Sequence, residues 1–151
     1  MPNLFPDNIS FEDDGNIIES NNTYFEGSYL FDFEKGEFIK NPDGGIAKCN
    51  DLQAYIQWCN KAILTPRYKL AYSYLYGHDF EDLIGSGISK KAIELEIQRM
   101  TSEALMVHPR TSEVNNFSFE WSSSKEEVYY SFDVITIDEV NIQLNNNIGV
   151  G

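Results

Sequence analysis

Apolar residues recur at helical spacing in two stretches of the chain. The first stretch contains Leu52, Ile56, Cys59 and Ile63. The second contains Ile93, Ile97, Met100 and Ala104. Steps of four, three and four place each set on one face of a helix. Asn50 and Ser89 are the expected N-caps, because their side-chain oxygens can accept from free backbone amides. Pro66 and Pro109 are expected to end the two helices.

Alternation with a period of two predicts strands on both sides of the helical region. Residues 24–40 are expected to form a hairpin that turns at Lys35 and Gly36. Near the C-terminus, residues 117–121 and 128–137 are expected to form a second hairpin around a serine-rich turn. Four alternating residues of its return strand share one face: Val128, Tyr130, Phe132 and Val134.

Residues 65–85 lie between the two helices and are rich in aromatic side chains. Residues 67–76 are predicted to be extended, which places five alternating residues on one face: Tyr68, Leu70, Tyr72, Tyr74 and Tyr76. A helix remains the competing interpretation, because Leu70, Tyr74 and Gly77 also fit a helical period. A short helical turn is expected at residues 79–84, with Gly85 as a left-handed cap.

These elements predict an α+β fold in which a small antiparallel or mixed sheet packs against two main helices. Three segments are expected: an extended N-terminal arm (1–22), a single domain (23–137) and a mobile or partner-ordered tail (138–151). The arm contains two prolines but also six apolar residues, so we expect it to lie on its own domain or on a neighbour. Those residues are Leu4, Phe5, Ile9, Phe11, Ile17 and Ile18.

The charge distribution limits the classes of partner. The chain of 151 residues has a formal net charge of −13, and both flanks are acidic around a neutral middle. A nucleic-acid partner is disfavoured because no basic stripe is present, and an acidic membrane surface is disfavoured for the same reason. No apolar run is long enough to span a membrane, and the first residues lack a signal-peptide pattern, so synthesis in the cytoplasm is expected. The acidic flanks favour either solubility alone or a basic protein partner.

The sequence contains no clear set of catalytic or metal-binding residues. His78 and His108 lie in a glycine turn and before a proline, where turn and cap roles are common. The neighbouring Glu81 and Asp82 would diverge on a helical turn instead of flanking a glycosidic bond. The two cysteines form no metal or redox spacing. We therefore expect no catalytic residue, no metal and no cofactor.

The order of several motifs resembles that of a known family over roughly residues 3 to 137. These motifs are Leu4-Phe5-Pro6, Tyr29-Leu30-Phe31-Asp32-Phe33, a helix with Ala54, Trp58 and Ala62, Thr65-Pro66-Arg67-Tyr68, Tyr74 to Gly77, Asp82-Leu83-Ile84-Gly85, Glu96-Ile97, Met100 to Leu105, and His108-Pro109-Arg110. The sequence is similar to the XkdS-type baseplate proteins of contractile phage tails and phage-tail-like bacteriocins. These are distant relatives of a wedge protein once labelled a tail lysozyme and of its type VI secretion counterpart.

The resemblance implies a sheath-protein-like fold and a structural role in the inner baseplate of a contractile tail. Such a protein would join wedge subunits around the tube and template the first sheath ring. Its implied partners are other wedge subunits and the sheath protein, with tube or hub proteins as further candidates. It would be made in the bacterial cytoplasm and released in the particle on lysis. The family's turn after the first helix carries an acid, a proline and an arginine, but Thr65 replaces the acid here, which puts the expected salt bridge in doubt.

Two partner-binding surfaces are predicted on this basis. Arg67 and the tyrosines through Tyr76 are expected to face the wedge's larger subunits, or to hold the turn that does. An open edge near residues 128–137, which carries Tyr130 and Phe132, is expected to pair with arms of neighbouring subunits. The alternatives are a cell-wall-degrading tail lysozyme and a small acidic adaptor that mimics nucleic acid.

Overall fold

The computed structural model describes residues 27–68 and 75–151. Four short strands come first, two helices with a 3₁₀ turn between them follow, and three long strands end the chain. In chain order these elements are β1 (Ser28–Tyr29), β2 (Phe31–Asp32), β3 (Glu37–Phe38), β4 (Lys48–Cys49), α1 (Asp51–Leu64), the 3₁₀ turn Phe80–Leu83, α2 (Lys90–Met106), β5 (Thr111–Trp121), β6 (Glu127–Thr136) and β7 (Asn141–Gly149).

The three long strands form one antiparallel sheet in the order β5-β6-β7. Val128 of β6 is the register partner of Trp121 on one side and of Ile148 on the other. Every second side chain of β6 is buried, from Val128 to Thr136. The same alternation leaves Tyr129 on the solvent face of the sheet, where it is about half exposed. The sheet is therefore packed on one face and wet on the other.

The core lies between the buried face of this sheet and the two helices. Its fully buried side chains include Ile97 and Leu105 of α2, Cys59 of α1, and Phe132 of β6. The ring of Phe132 stacks on Phe117 of β5 at 5.3 Å between centroids. The predicted α+β class, with a small sheet against two helices, is confirmed.

The predicted helix caps form as expected. Asn50 accepts from the amide of Gln53 at 2.8 Å, and Gln53 accepts from the amide of Asn50 at 3.1 Å, which completes a capping box. Ser89 accepts from the amide of Ala92 at the start of α2. Gly85 adopts a positive φ of 66° after the 3₁₀ turn.

The first four strands form a small unit, here called the hairpin module (residues 27–49). β2 pairs with β3 and β1 pairs with β4, each over two residues only. Gln57 of α1 joins this module to the helix, because its side chain accepts from the amide of Phe31 and donates to the carbonyl of Tyr29, both at 2.8 Å. The predicted hairpin is therefore present from residue 28 onward, although its pairing is short.

Two predictions about the C-terminal region are wrong. Residues 141–149 were expected to belong to a mobile or partner-ordered tail, but they pair with β6 along nine consecutive residues. The region of residues 128–137 was expected to be an open edge, but β6 is the central strand of its sheet. The open edges belong to β5 and β7. The predicted N-terminal arm (1–22) lies outside the described residues.

Candidate partner-binding surfaces

A clamp closes the loop that follows α1. Pro66 forms a parallel bridge with His78, the amide of Arg67 donates to the carbonyl of His78 at 2.7 Å, and the amide of His78 donates to the carbonyl of Thr65 at 3.0 Å. Gly77 lies inside this clamp with φ +97°, and a Cβ there would approach the carbonyl oxygen of Thr65 to 2.4 Å. Only glycine fits at this position, since both the space and the φ exclude a side chain.

Arg67 is part of the clamp itself. Its guanidinium lies 3.1 Å from a carboxylate oxygen of Asp79 and donates to the carbonyl of Gly77 at 3.4 Å. Thr65 therefore does not remove the salt bridge of this turn, because Asp79 supplies the acid from the far side of the loop. The pair is partly exposed, so its direct contribution to stability is about 0–1 kcal/mol. Its more specific effect is to orient the two ends of the loop.

The other predicted partner-binding residues are in four different situations. Tyr68 is 71% exposed with φ +63°, so its ring is open to a partner. Tyr76 contacts the edge of Trp58 at 5.7 Å between ring centroids. Tyr72 and Tyr74 lie outside the described residues. Tyr130 and Phe132 are 2% and 0% exposed, so their prediction as partner-binding residues is wrong.

The burial of Tyr130 and Phe132 has a simple cause. Both alternate with polar neighbours on a strand that has only one packed face, and the apolar set turns toward the helices. The hydroxyl of Tyr130 lies 3.3 Å from that of Thr101 on α2. Burial raises the pKa of Tyr130, so the phenol stays neutral.

Neither histidine is arranged for catalysis. Nδ1 of His78 accepts from the amide of Phe80, and its ring stacks on the Phe80 ring at 4.1 Å. Burial lowers the pKa of His78 to about 4. Nδ1 of His108 likewise accepts from the amide of Arg110, and burial lowers the pKa of His108. Both side chains therefore act as neutral acceptors for backbone amides in turns.

Residues 27–68 and 75–151 contain neither a metal-binding cluster nor a membrane-spanning helix. No group of three or more histidine, cysteine or acidic side chains is arranged to hold a metal ion. Neither helix in that part of the chain is long and apolar enough to cross a membrane.

The edge of β7 is the most regular open backbone in the described structure. Its pairing with β6 has no register shift, whereas β5 has two, one of them around the positive-φ residue Asn116. β7 carries no charged residue and no proline, while β5 carries Glu113 and Glu120. Bulges and edge charges discourage pairing with another strand, and β7 has neither.

The outward-facing groups of β7 can be assigned from its hydrogen bonds. The amide of Val150 donates to the carbonyl of Glu126, and the amide of Thr136 donates to the carbonyl of Val140. Antiparallel pairs alternate, so the even-numbered residues of β7 bond to β6 and the odd-numbered residues direct their N–H and C=O groups away from it. These odd-numbered residues are Asn141, Gln143, Asn145, Asn147 and Gly149. Their side chains are also on the exposed face.

A second open feature is the aromatic groove between the hairpin module and α1. It has a volume of about 770 Å³. Phe31 lies at its centre, with edge-on contacts to Phe33 at 5.1 Å and Phe38 at 5.2 Å between centroids. Trp58 of α1 forms part of the opposite wall and packs against His108 at 4.5 Å. The sequence contained these aromatics in two separate predicted elements, and only the fold brings them together.

The sequence pattern of one protein family covers most of this structure. The pattern is that of the contractile injection system sheath initiator, and it matches residues 27–139. The chain belongs to the contractile injection system sheath initiator family. The matched region begins at the hairpin module and ends just before β7.

Individual relatives agree with this family. The sheath initiator chain is 27% identical over 146 residues to protein XkdS of the phage-like element PBSX from Bacillus subtilis strain 168, covering 93% of this chain and 94% of that protein. The predicted resemblance to XkdS-type baseplate proteins is confirmed. The protein is a structural component of a contractile-tail baseplate.

Two solved structures share the fold. A crystal structure of a candidate tail lysozyme from Geobacter sulfurreducens matches with a TM-score of 0.57 and 13% identity, covering 68% of this chain and 94% of that one. A chain in the cryo-EM structure of the anti-feeding prophage baseplate matches with a TM-score of 0.50 and 13% identity, covering 83% and 87%. At this identity the likeness concerns the fold of the sheath initiator alone.

Proposed function

We propose that this protein lies in the inner baseplate, joins wedge subunits around the tube, and templates the first sheath ring through the open edge of β7. The supporting observation is the regular, uncharged edge that β7 presents over nine residues. An arm of a sheath subunit would add a fourth strand beside β7. The main-chain N–H and C=O groups of the odd-numbered residues would then gain partners.

The sheet is built to receive such a strand. β6 and its buried side chains fix β7 from the inside, since Leu144 and Ile148 are buried in the core. Asn146 adds a bond from its amide nitrogen to the carbonyl of Ile63 on α1, at 3.4 Å. The edge is therefore held in place before a partner arrives, which lowers the entropy lost on binding.

This proposal moves the predicted interface from β6 to β7 and allows a sharper test. Asn145 is exposed, and its outward amide would bond to an added strand. Asn145→Pro removes that amide and leaves the β6–β7 bonds intact, because proline is tolerated at the edge of a sheet. Asn145→Ala makes a comparable loss of the side chain and keeps the amide.

The readout is the fraction of tail particles that carry a sheath, counted by electron microscopy. We expect Asn145→Pro to give tubes without sheath and Asn145→Ala to give sheathed particles. Thermal melts of the two purified variants check that both of them fold. Sheathed particles at the wild-type frequency from a folded Asn145→Pro protein would contradict the role of this edge.

A separate surface is proposed for the wedge subunits. It consists of Arg67 with Tyr68 and Tyr76; the other two predicted tyrosines, Tyr72 and Tyr74, lie outside the described residues. Arg67→Ala would impair baseplate assembly, and Asp79→Asn separates two explanations, because it removes the clamp's ion pair and keeps the guanidinium. An equal loss in both variants indicates that Arg67 holds the loop, whereas a loss in Arg67→Ala alone indicates direct contact. Normal baseplates from Arg67→Ala would contradict this assignment.

A structural role, instead of hydrolysis of the cell wall, fits the carboxylates of the described residues. Glu81 and Asp82 are both exposed on the 3₁₀ turn, and neither lines the aromatic groove. A glycosidase needs two carboxyl groups that face each other across a bound sugar. We expect the purified protein to leave a peptidoglycan suspension turbid, and clearing of that suspension would instead support the lysozyme alternative.

A further inference from the structure

We propose that residues 4–18 of this same chain dock in the aromatic groove between the hairpin module and α1. This surface is separate from the β7 edge and from the Arg67 loop. The inference does not depend on how the sheath is seeded.

The groove is a mainly apolar space between two walls that are held to each other. Gln57 holds the hairpin module to α1 through two hydrogen bonds to the backbone of Tyr29 and Phe31. β4, which pairs with β1, leads directly into Asn50 at the start of α1. Protein interiors are close-packed, and exposed aromatic patches of this kind mark docking sites.

The undescribed N-terminal segment meets the described structure at the mouth of this groove. Ser28 and Tyr29 are among its lining residues. Gly27 packs on the β4 backbone, where a Cβ would lie 2.6 Å from the carbonyl oxygen of Cys49. The preceding residues therefore leave the fold beside the groove.

The tether makes this segment a stronger candidate than a free peptide. Ile18 is ten residues from Ser28 in the sequence, so it can reach up to about 33 Å away at about 3.3 Å per residue. A short tether also raises the effective concentration of the segment to about the millimolar range. A free partner would need high affinity to compete.

The chemistry of the segment complements the groove. Phe5, Phe11 and the Ile17-Ile18 pair can fill an aromatic space, and residues 1–26 contain six acidic residues and no lysine or arginine. The rim carries two lysines: Lys61 lines the groove, and Lys48 lies 6.0 Å from the Tyr29 ring centroid. Asp51, the acidic residue of the lining, is paired with Arg110 at 3.4 Å. These two lysines are opposite in charge to the acid-rich segment, in a chain whose net charge is −13.

A spin label on the segment tests this directly in the full chain. Ser10→Cys introduces a thiol for a nitroxide, while Cys49 and Cys59 are buried. Burial also raises the pKa of Cys59 to about 12, so it does not react at neutral pH. The two tryptophans provide an internal comparison, because Trp58 lines the groove and Trp121 bonds to Glu94 at the end of the sheet.

We expect the label to broaden the NMR signal of the Trp58 indole N–H and to leave that of Trp121 sharp. Replacing Phe11, Ile17 and Ile18 by serine should remove this broadening, whereas Leu95→Ser, on the exposed face of α2, should not. Absence of broadening at Trp58, or equal broadening at both indoles, would overturn the proposal. So would broadening that appears when labelled chain is mixed with isotope-labelled chain without a nitroxide, because the arm would then come from a second copy.

Discussion

The three-stranded sheet and the hairpin module are built in opposite ways. β5, β6 and β7 have 11, 10 and 9 residues, and their inward side chains are buried or partly buried against the two helices. The strands of the hairpin module have two residues each. Several of its large apolar side chains are exposed, among them Tyr29 at 49% and Phe38 at 48%.

This difference separates the part that stabilises the fold from the part that is shaped for contact. A two-stranded pair of two residues is not stable by itself, so the hairpin module depends on its attachment to α1. The three-stranded sheet is stabilised by its own packing against the helices, and its edge strands are the part open to a partner. We therefore expect mutations in the two regions to differ strongly in their effect on stability.

The largest expected effect comes from one phenylalanine in each region. Phe132→Ala should lower the free energy of unfolding by about 3–5 kcal/mol, because it leaves a cavity in a fully packed core. Phe38→Ala should lower it by less than about 0.5 kcal/mol, since the ring is half exposed. Urea denaturation of both variants measures the difference. Similar losses would show that the two regions form a single cooperative core.

A smaller and local effect is expected at Gln57. Gln57→Ala removes both side-chain bonds to the hairpin module and should weaken its attachment by about 1–3 kcal/mol. Hydrogen exchange should then accelerate in residues 28–49 and stay unchanged in β6. Gln53→Ala, one turn earlier on α1, provides a control that touches the cap and not the module. Unchanged exchange in residues 28–49 of the Gln57 variant would show that the module is held by other contacts.

The sequence predicted the packed helices and strands better than the partner-binding surfaces. Helical spacing and capping residues were enough to place α1 and α2, because those signals are local. The strand β7 was missed, although Ile142, Leu144 and Ile148 alternate with asparagine and glutamine. The polar composition of β7 obscured the recurrence of apolar residues at every second position. That recurrence was the signal that could have predicted the strand.

The sites were harder to predict because they depend on distant pairs. Asp79 replaces the acid expected at position 65, which only the closure of the loop makes possible. Tyr130 and Phe132 were predicted to bind a partner because the alternating pattern shows only that they share one face of the strand. It does not show that the helices of the same chain cover this face. Which strand lies at the edge depends on the pairing order, and no local pattern encodes it.

A further expected effect concerns pH and the clamp that joins residues 65–67 to residues 77–79. The pKa of His78 is about 4 in the folded protein, below the unfolded value of about 6.5, with Asp79, Glu81 and Arg67 nearby. The unfolded state then binds more protons between these values, so stability falls as pH drops from about 6.5 to 4. His78→Gln should show a shallower fall than the wild type in denaturation curves over this range. Equal slopes would mean that the carboxylates alone set the pH dependence.

Hydrogen exchange at the β7 edge is the most direct test of the proposed templating role. The outward amides of Gln143, Asn145 and Asn147 should exchange fast in the free protein and in baseplates without sheath. They should become protected once sheath is present, while the inward amides of Ile142 and Leu144 stay protected throughout. If the outward amides exchange equally fast in sheathed and unsheathed particles, the first sheath ring does not bind this edge.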